Sequence, residues 1–225
     1  MKIAIITAMQ SEYDAVHALY QFKDDELGAR TIAHGKNIVL IKSGMGKVNA
    51  AIATERACRD GADIVINTGL AGGIDQSLTQ GDIVLADRVC YHDVWCGEPN
   101  EYGQVQDLPL YYDTTEYIEQ IKKDATDFKV GLIVTGDQFL TDINRLKEIK
   151  QRFPEGLATD MESAAVAQTC YLNQVGFISL RIISDVVGKE GQMDEYQNFW
   201  KQVPHKAADM VDKTLKAIQT DEIIF

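Results

Sequence analysis

Residues 158–163 read "ATDMES", which sets two carboxylates, Asp160 and Glu162, either side of Met161 where an apolar run gives way to a helical pattern. A pair of like charges at such a junction is either a solvated helix start or a device for handling protons and positive charge. Two further acids stand at comparable places: Glu12, just beyond the apolar run 2–9, and Asp185, at the end of the run 177–185. Breaking a glycosidic bond passes through an oxocarbenium-like state. It benefits from an acid for the leaving group, a base for water and negative charge near the sugar. Glu12, Glu162 and Asp185 together suit those three tasks. Singly, each also fits a plainer role: Glu12 and Glu162 as first-turn acids favoured by a helix dipole, Asp185 as the ion-pair partner of Arg181.

Other motifs are weaker. "GMGKVN" at 44–49 has Asn49 where a dinucleotide fingerprint needs its third glycine, and it lacks the pattern of a P-loop. It is either a tight strand-to-helix turn or a turn that also sets Met45 and its amide groups beside a small ligand. "TGLAGG" at 68–73 likewise permits a sharp turn or a close approach of backbone to ligand. His92 follows Tyr91 at a strand exit and is a candidate ligand contact, whereas His17, His34 and His205 have no catalytic neighbour in sequence. There is no G-x-S-x-G elbow. Cys58, Cys90, Cys96 and Cys170 have neither C-x-x-C spacing nor nearby paired histidines, so they read as buried free thiols.

Elements that alternate must position these residues. Runs at 2–9, 37–46, 62–73, 82–94, 130–139, 156–161 and 177–185 read as strands, rich in Ile, Val and Leu. Helical spacing recurs at 11–22 with Ser11 as N-cap, and at 47–61, 117–128, 144–153, 162–176 (ending at Gly176) and 203–219. Near-continuous apolar strands alternating with helices predict a mainly parallel sheet covered on both faces, with a ligand site beyond the carboxyl ends of the strands. Six strand exits carry small, flexible or acidic residues, which would gather Glu12, Asp160, Glu162, Asp185 and Phe139 along one rim. The polar, aromatic-rich stretch 91–106, with Trp95 and Tyr102, reads as a loop over a site or against a neighbouring subunit.

The chain has 225 residues, evenly composed, with no linker or repeat, and is expected to form one domain over 1–225. Its net charge of −12 argues against binding nucleic acid or anionic membranes. The short apolar start meets Glu12 and Asp14 too soon for a signal peptide, and no stretch approaches the roughly 20 apolar residues of a membrane helix. A cytoplasmic location with reduced thiols is expected.

Taken in order, "AIITAM" with Glu12, "SGMGKVNAA", "INTGLAGG", "GDIV", "YHD", "EYGQ", "GDQF", "DMES" and "RIISD" resemble the 5′-methylthioadenosine/S-adenosylhomocysteine nucleosidases of the nucleoside phosphorylase fold. The resemblance covers nearly the whole chain. It implies a three-layer α/β/α sandwich with a mixed, partly barrelled sheet, and a homodimer. It also implies irreversible hydrolysis of the adenine N9 to ribose C1′ bond, without cofactor or metal. Carried over by position, Asp185 protonates adenine N7 with Ser184 orienting it, and Glu12 deprotonates the attacking water. Glu162 binds the ribose hydroxyls, with Met161 packing on the sugar. Phe139 and Leu140 hold the purine, and Ala71 and Gly72 lie near sugar and base. Met9, Met45 and an aromatic from Tyr196 and Phe199 form the 5′-alkylthio pocket, which the loop near Tyr91–Gln106 closes across the dimer. Asp160 stands where Glu is frequent in this family and Leu70 where Ser is common, and the 95–106 loop differs, which bears on the breadth of 5′ substituents. Phosphate-dependent phosphorylases, futalosine-type hydrolases and non-catalytic nucleoside-binding relatives are the rival readings.

Overall fold

The computed structural model describes residues 1–20, 22–27, 30–124, 127–189, 191–199 and 203–218. In chain order the elements are β1 (Ile3–Thr7), α1 (Gln10–His17), β2 (Lys23–Leu27), β3 (Arg30–His34), β4 (Ile38–Lys42), α2 (Lys47–Arg59), β5 (Ile64–Gly73) and β6 (Ile83–Tyr91). There follow β7 (Tyr112–Asp113), α3 (Thr115–Asp124), β8 (Lys129–Thr135), α4 (Ile143–Arg152), β9 (Gly156–Asp160), α5 (Ser163–Asn173), β10 (Gly176–Val186), α6 (Gln192–Phe199) and α7 (Val203–Ile218).

The strands form one sheet in the order β10-β6-β8-β9-β5-β1-β4-β3-β2, and β10 also pairs with β5. That extra pairing closes β10, β6, β8, β9 and β5 into a five-stranded ring, from which β1, β4, β3 and β2 extend. Half of the strand pairings are antiparallel, including β10 with β6 and β5 with β9, so the mainly parallel sheet read from the strand runs is corrected to a mixed one. Two of the antiparallel pairings close the ring, β10 with β6 and β5 with β9, where Gly72 and Gly73 meet Thr159 and Ala158 head to tail, and the other three lie outside it.

Alternation along the strands builds the layers. Ile3 and Ile5 of β1, with Leu40, Ile64 and Ile66, pack in one core with residues of α1, α3 and α7. Ala4 and Ile6, with Val39, Ile41 and Val65, face α2 and α5 in the other. Side chains two apart share a face of a strand, so one apolar run supplies both cores. A third cluster packs Leu146 and Ile149 of α4, with Phe153 just beyond it, against Cys90 of β6 and Leu132 and Val134 of β8.

Several boundaries differ from the sequence reading. The first helix starts at Gln10 with Met9 as its N-cap rather than Ser11, because the Glu12 carboxylate reaches back to the Met9 amide. It stops at His17 instead of running to residue 22. The hairpin of β2 and β3 and helix α6 were not anticipated from the pattern. Helix α5 ends at Asn173 with Gln174 left-handed at φ 57°, while Gly176 opens β10. At Gly176 a β-carbon would collide with Tyr117 and Ile64, so close packing against β5 and α3, and not helix termination, requires the glycine.

Candidate active site

The six strand exits converge as the pattern predicts. One solvent-open cleft is lined by Met9, Glu12, Met45, Ala71, Gly72, Phe139, Leu140, Asp160, Met161, Glu162, Ser184, Asp185 and Tyr196. Leu70, which stands where Ser is common, also lines it, and Ala8, Gln138 and Thr159, which were not singled out from the sequence, complete the lining. Phe199 is the exception among the named residues. One turn beyond Tyr196 on α6 it has passed the cleft, and it is buried in the core near Gly81.

Glu12 is 2% exposed, and its carboxylate sits in a cradle of backbone amides. Oε2 accepts from the Ala8 and Met9 N–H groups at 3.0 and 2.9 Å, and Oε1 accepts from Leu70 N–H at 2.9 Å. It thus caps α1 and bridges β1 to β5. Burial pushes its pKa up, against the pull of the Arg181 guanidinium and the three amides. A desolvated carboxylate of raised proton affinity is a stronger base than one in water. The cradle needs glycine at position 69: a β-carbon there would lie 2.6 Å from Glu12 Oε1 and 2.7 Å from Arg181 Nη1. "TGLAGG" is therefore strand that lets side chains approach its backbone, and not a sharp turn. Leu70 serves Glu12 through its main chain, so Leu in place of Ser leaves that hydrogen bond intact.

Asp160 and Glu162 have divided their roles. Asp160 is turned inward: it pairs with Arg181 Nη2 at 2.6 Å and accepts from Thr135 Oγ1 at 2.6 Å and Ser163 N–H at 3.1 Å. Glu162 accepts from Gly46 N–H at 2.9 Å through Oε1, and Oε2 lies 3.4 Å from Arg181 Nη2. Arg181 is 1% exposed and also donates to Asn67 Oδ1 at 2.6 Å. Its partners are thus Asp160 and Glu162, which corrects the alternative that paired it with Asp185.

Burial pushes the Glu162 carboxyl up from 4.5 to about 7, with Arg181 pulling it down and Asp160 adding to the rise. The native state keeps a proton that the unfolded chain releases near 4.5. Stability from this group is complete below that value and is lost as pH rises through about 7. Glu162→Gln fixes the uncharged form. Its urea midpoint should therefore fall less than that of the unaltered protein between about pH 5 and about pH 8. Equal falls in the two proteins would remove Glu162 as the source.

Asp185 is 2% exposed. Its Oδ1 accepts from Ser184 Oγ at 2.5 Å and its Oδ2 from Gln192 Nε2 at 2.7 Å. Opposite lies the loop 136–140, whose Phe139 meets Tyr196 edge-on with ring centroids 4.9 Å apart. The loop is tied to the start of α2 by Asp137, which accepts from Lys47 N–H at 2.8 Å, and by Asp93, which accepts from Asp137 N–H at 2.9 Å and pairs with Lys47 Nζ at 2.8 Å. Sequence reasoning missed Lys47, Asp93, Asn67 and Gln192; each acts through a tertiary contact that no local spacing announces.

His92 does not reach the cleft. It is fully buried under Gly136, where a β-carbon would strike its ring, and burial pulls its pKa down. Of the thiols, Cys90 and Cys170 are buried, Cys58 is half-buried and Cys96 is exposed on its loop, so the expectation of buried thiols holds only in part. Among the described residues no group of three or more His, Cys, Asp or Glu side chains is placed to hold a metal. No helix among them is long and apolar enough to cross a membrane.

The family model of the phosphorylase superfamily matches residues 2–216, the ring-closed mixed sheet included. The 5′-methylthioadenosine/S-adenosylhomocysteine nucleosidase of Geobacillus sp. (strain WCH70) is 37% identical over 97% of this chain and 100% of its own length. The Streptococcus pyogenes S-adenosylhomocysteine nucleosidase in complex with 5-methylthiotubericidin superposes with a TM-score of 0.91 at 31% identity, covering 98% of each chain. The Neisseria meningitidis 5′-methylthioadenosine/S-adenosylhomocysteine nucleosidase in complex with methylthio-immucillin-A gives 0.90 at 34% identity, covering 96% of this chain and 99% of the other. The chain belongs to the phosphorylase superfamily and, within it, to the family of these nucleosidases.

Proposed function

We propose that the chain hydrolyses the N9–C1′ bond of 5′-methylthioadenosine, S-adenosylhomocysteine and 5′-deoxyadenosine to adenine and the 5-substituted ribose. The observation that carries this is the convergence of Glu12, Glu162 and Asp185 on one cleft from separate strand exits. Asp185 gives its proton to N7 and the C1′–N9 electron pair withdraws into the purine. Glu162, steadied by Gly46 N–H and Arg181, faces the ribose hydroxyls and the positive charge growing on C1′. Glu12 takes a proton from water as its oxygen bonds to C1′. Leu140 and Phe139 hold the purine, Met161 the sugar face, Ala71 and Gly72 the junction between sugar and base, and Met9, Met45 and Tyr196 the 5′ substituent.

Hydrolysis is favoured over phosphorolysis by charge. A phosphate dianion calls for donors of positive charge, yet among the described residues the cleft lining includes no lysine or arginine, and Arg181 lies behind it, engaged by Asp160 and Glu162. Apolar side chains outside the cleft support a homodimer: Val48 and Ile52 share a face of α2, Tyr171 and Leu172 lie near the end of the neighbouring helix α5, and all four are exposed. Trp95, half exposed and stacked on Tyr102 at 6.0 Å, stands on the loop expected to reach the partner's site. The reading is completed by one cytoplasmic domain over 1–225.

The test is adenine release from 5′-methylthioadenosine with and without phosphate, identifying the sugar product. Adenine with free methylthioribose, at a rate indifferent to phosphate, is expected. Strict phosphate dependence with the sugar 1-phosphate as product would overturn hydrolysis, and no adenine under either condition would overturn the reading as a whole.

A further inference from the structure

Asp185 is held by a residue that neither the sequence pattern nor the proposed roles account for. Gln192 opens α6, beyond the turn at Gly188, and its side chain is buried. Nε2 donates to Asp185 Oδ2 at 2.7 Å and to the Leu140 carbonyl at 3.0 Å, while Oε1 accepts from Gly188 N–H at 3.2 Å. The amide is thus committed at both ends, in a position that leaves it little freedom to rotate.

We infer that Gln192 is a positioning residue for the acid, fixing the Asp185 carboxyl against Ser184 and tying it to the purine-holding loop at Leu140. The inference rests on the proposed role of Asp185. With Ser184 at Oδ1 and Gln192 at Oδ2, the carboxyl is pinned at both oxygens. Both contacts strengthen as the proton leaves for N7 and negative charge develops on Asp185, because hydrogen bonds to an ionised acceptor are stronger than those to a neutral one. Stabilisation that grows along the reaction coordinate acts on turnover more than on binding. The same side chain couples the acid to α6, whose Tyr196 packs on Phe139. Acid, purine loop and the 5′ end of the cleft are thereby set by a single amide.

Gln192→Met keeps the volume and removes both donors, and it should lower kcat about 10- to 100-fold while KM for 5′-methylthioadenosine changes far less. The deciding comparison repeats the substitution in the Asp185→Asn background. A residue that works by positioning the proton donor has no proton transfer left to assist there, so the further loss in kcat should nearly vanish. An equal loss in both backgrounds, or a change confined to KM, would overturn the inference. Thermal unfolding of each variant separates these results from misfolding. Should Gln192→Met disturb α6, Gln192→Leu removes the same donors without placing a charge beside Asp185 and reads the same comparison. Absence of adenine release by the unaltered protein would overturn the proposed function instead, and with it the basis of this inference.

Discussion

Asp185→Asn should release adenine about 10²- to 10⁴-fold more slowly than the unaltered protein, the span that a general acid contributes. The substitution keeps the size and planarity of the side chain, and an asparagine can still bond with Ser184 and Gln192, so the local fold should persist. It has no proton that purine N7 can take. Glu162 would still face the developing charge and Glu12 the water, so the activity that remains measures what charge stabilisation and orientation supply without protonation. The amide can still donate a hydrogen bond to N7, so binding should suffer less than turnover, and kcat and kcat/KM should fall together. Steady-state adenine release at saturating 5′-methylthioadenosine checks the size of the drop. Turnover within a few fold of normal would move the role of acid to another group.

The second large effect concerns stability. Arg181→Met should lower the folding free energy by about 3 to 5 kcal/mol, because it leaves the Asp160 carboxylate buried without its counter-charge, while Glu162, no longer held down by Arg181, takes up a proton. For a chain of this size that corresponds to a melting midpoint lower by roughly 6 to 20 °C. The geometry explains why so much rests on one side chain: Arg181 lies 2.6 Å from Asp160 and 3.4 Å from Glu162 and is 1% exposed, so water cannot take its place beside Asp160. Adding Asp160→Asn to Arg181→Met should recover part of the loss, since it removes the stranded charge, and a double-mutant cycle reads the coupling. A single-variant loss below about 1 kcal/mol would mean that the ion pair behaves like an exposed one.

The strands were legible because buried β-structure is written as runs of Ile, Val and Leu, and 2–9, 62–73 and 177–185 each became a strand of the core. The location of the site was legible for a related reason: strand exits must be short and small, so Glu12, Glu162 and Asp185 stood out among glycines. What each acid touches was not legible. Arg181 lies four residues before Asp185, a spacing that unbroken alternation would put on one face of β10, yet it bonds to Asp160 and Glu162, because the register shift between Ile183 and Asp185 breaks that alternation. Gln192 resembles any polar residue at a helix start until the turn before α6 folds back over Asp185. Phe199 and Tyr196 share helical spacing, but the cleft ends between them. The β2 and β3 hairpin lacked the apolar signal, because it extends the sheet at its far margin and does not pass through both cores.

The strand that closes the ring, β10, is the last to leave the ribosome, and it also carries Arg181, Ser184 and Asp185. Pairings such as Gly69 with Arg181 and Gly72 with Asp185 join residues more than a hundred positions apart, the kind of contact that a growing chain makes late. Until β10 is seated, Asp160 and Glu162 have no counter-charge and the carboxylate of Glu12 faces no cation. Assembly of the barrel and assembly of the chemistry are thus a single event, and a nascent chain that stops short of β10 has neither.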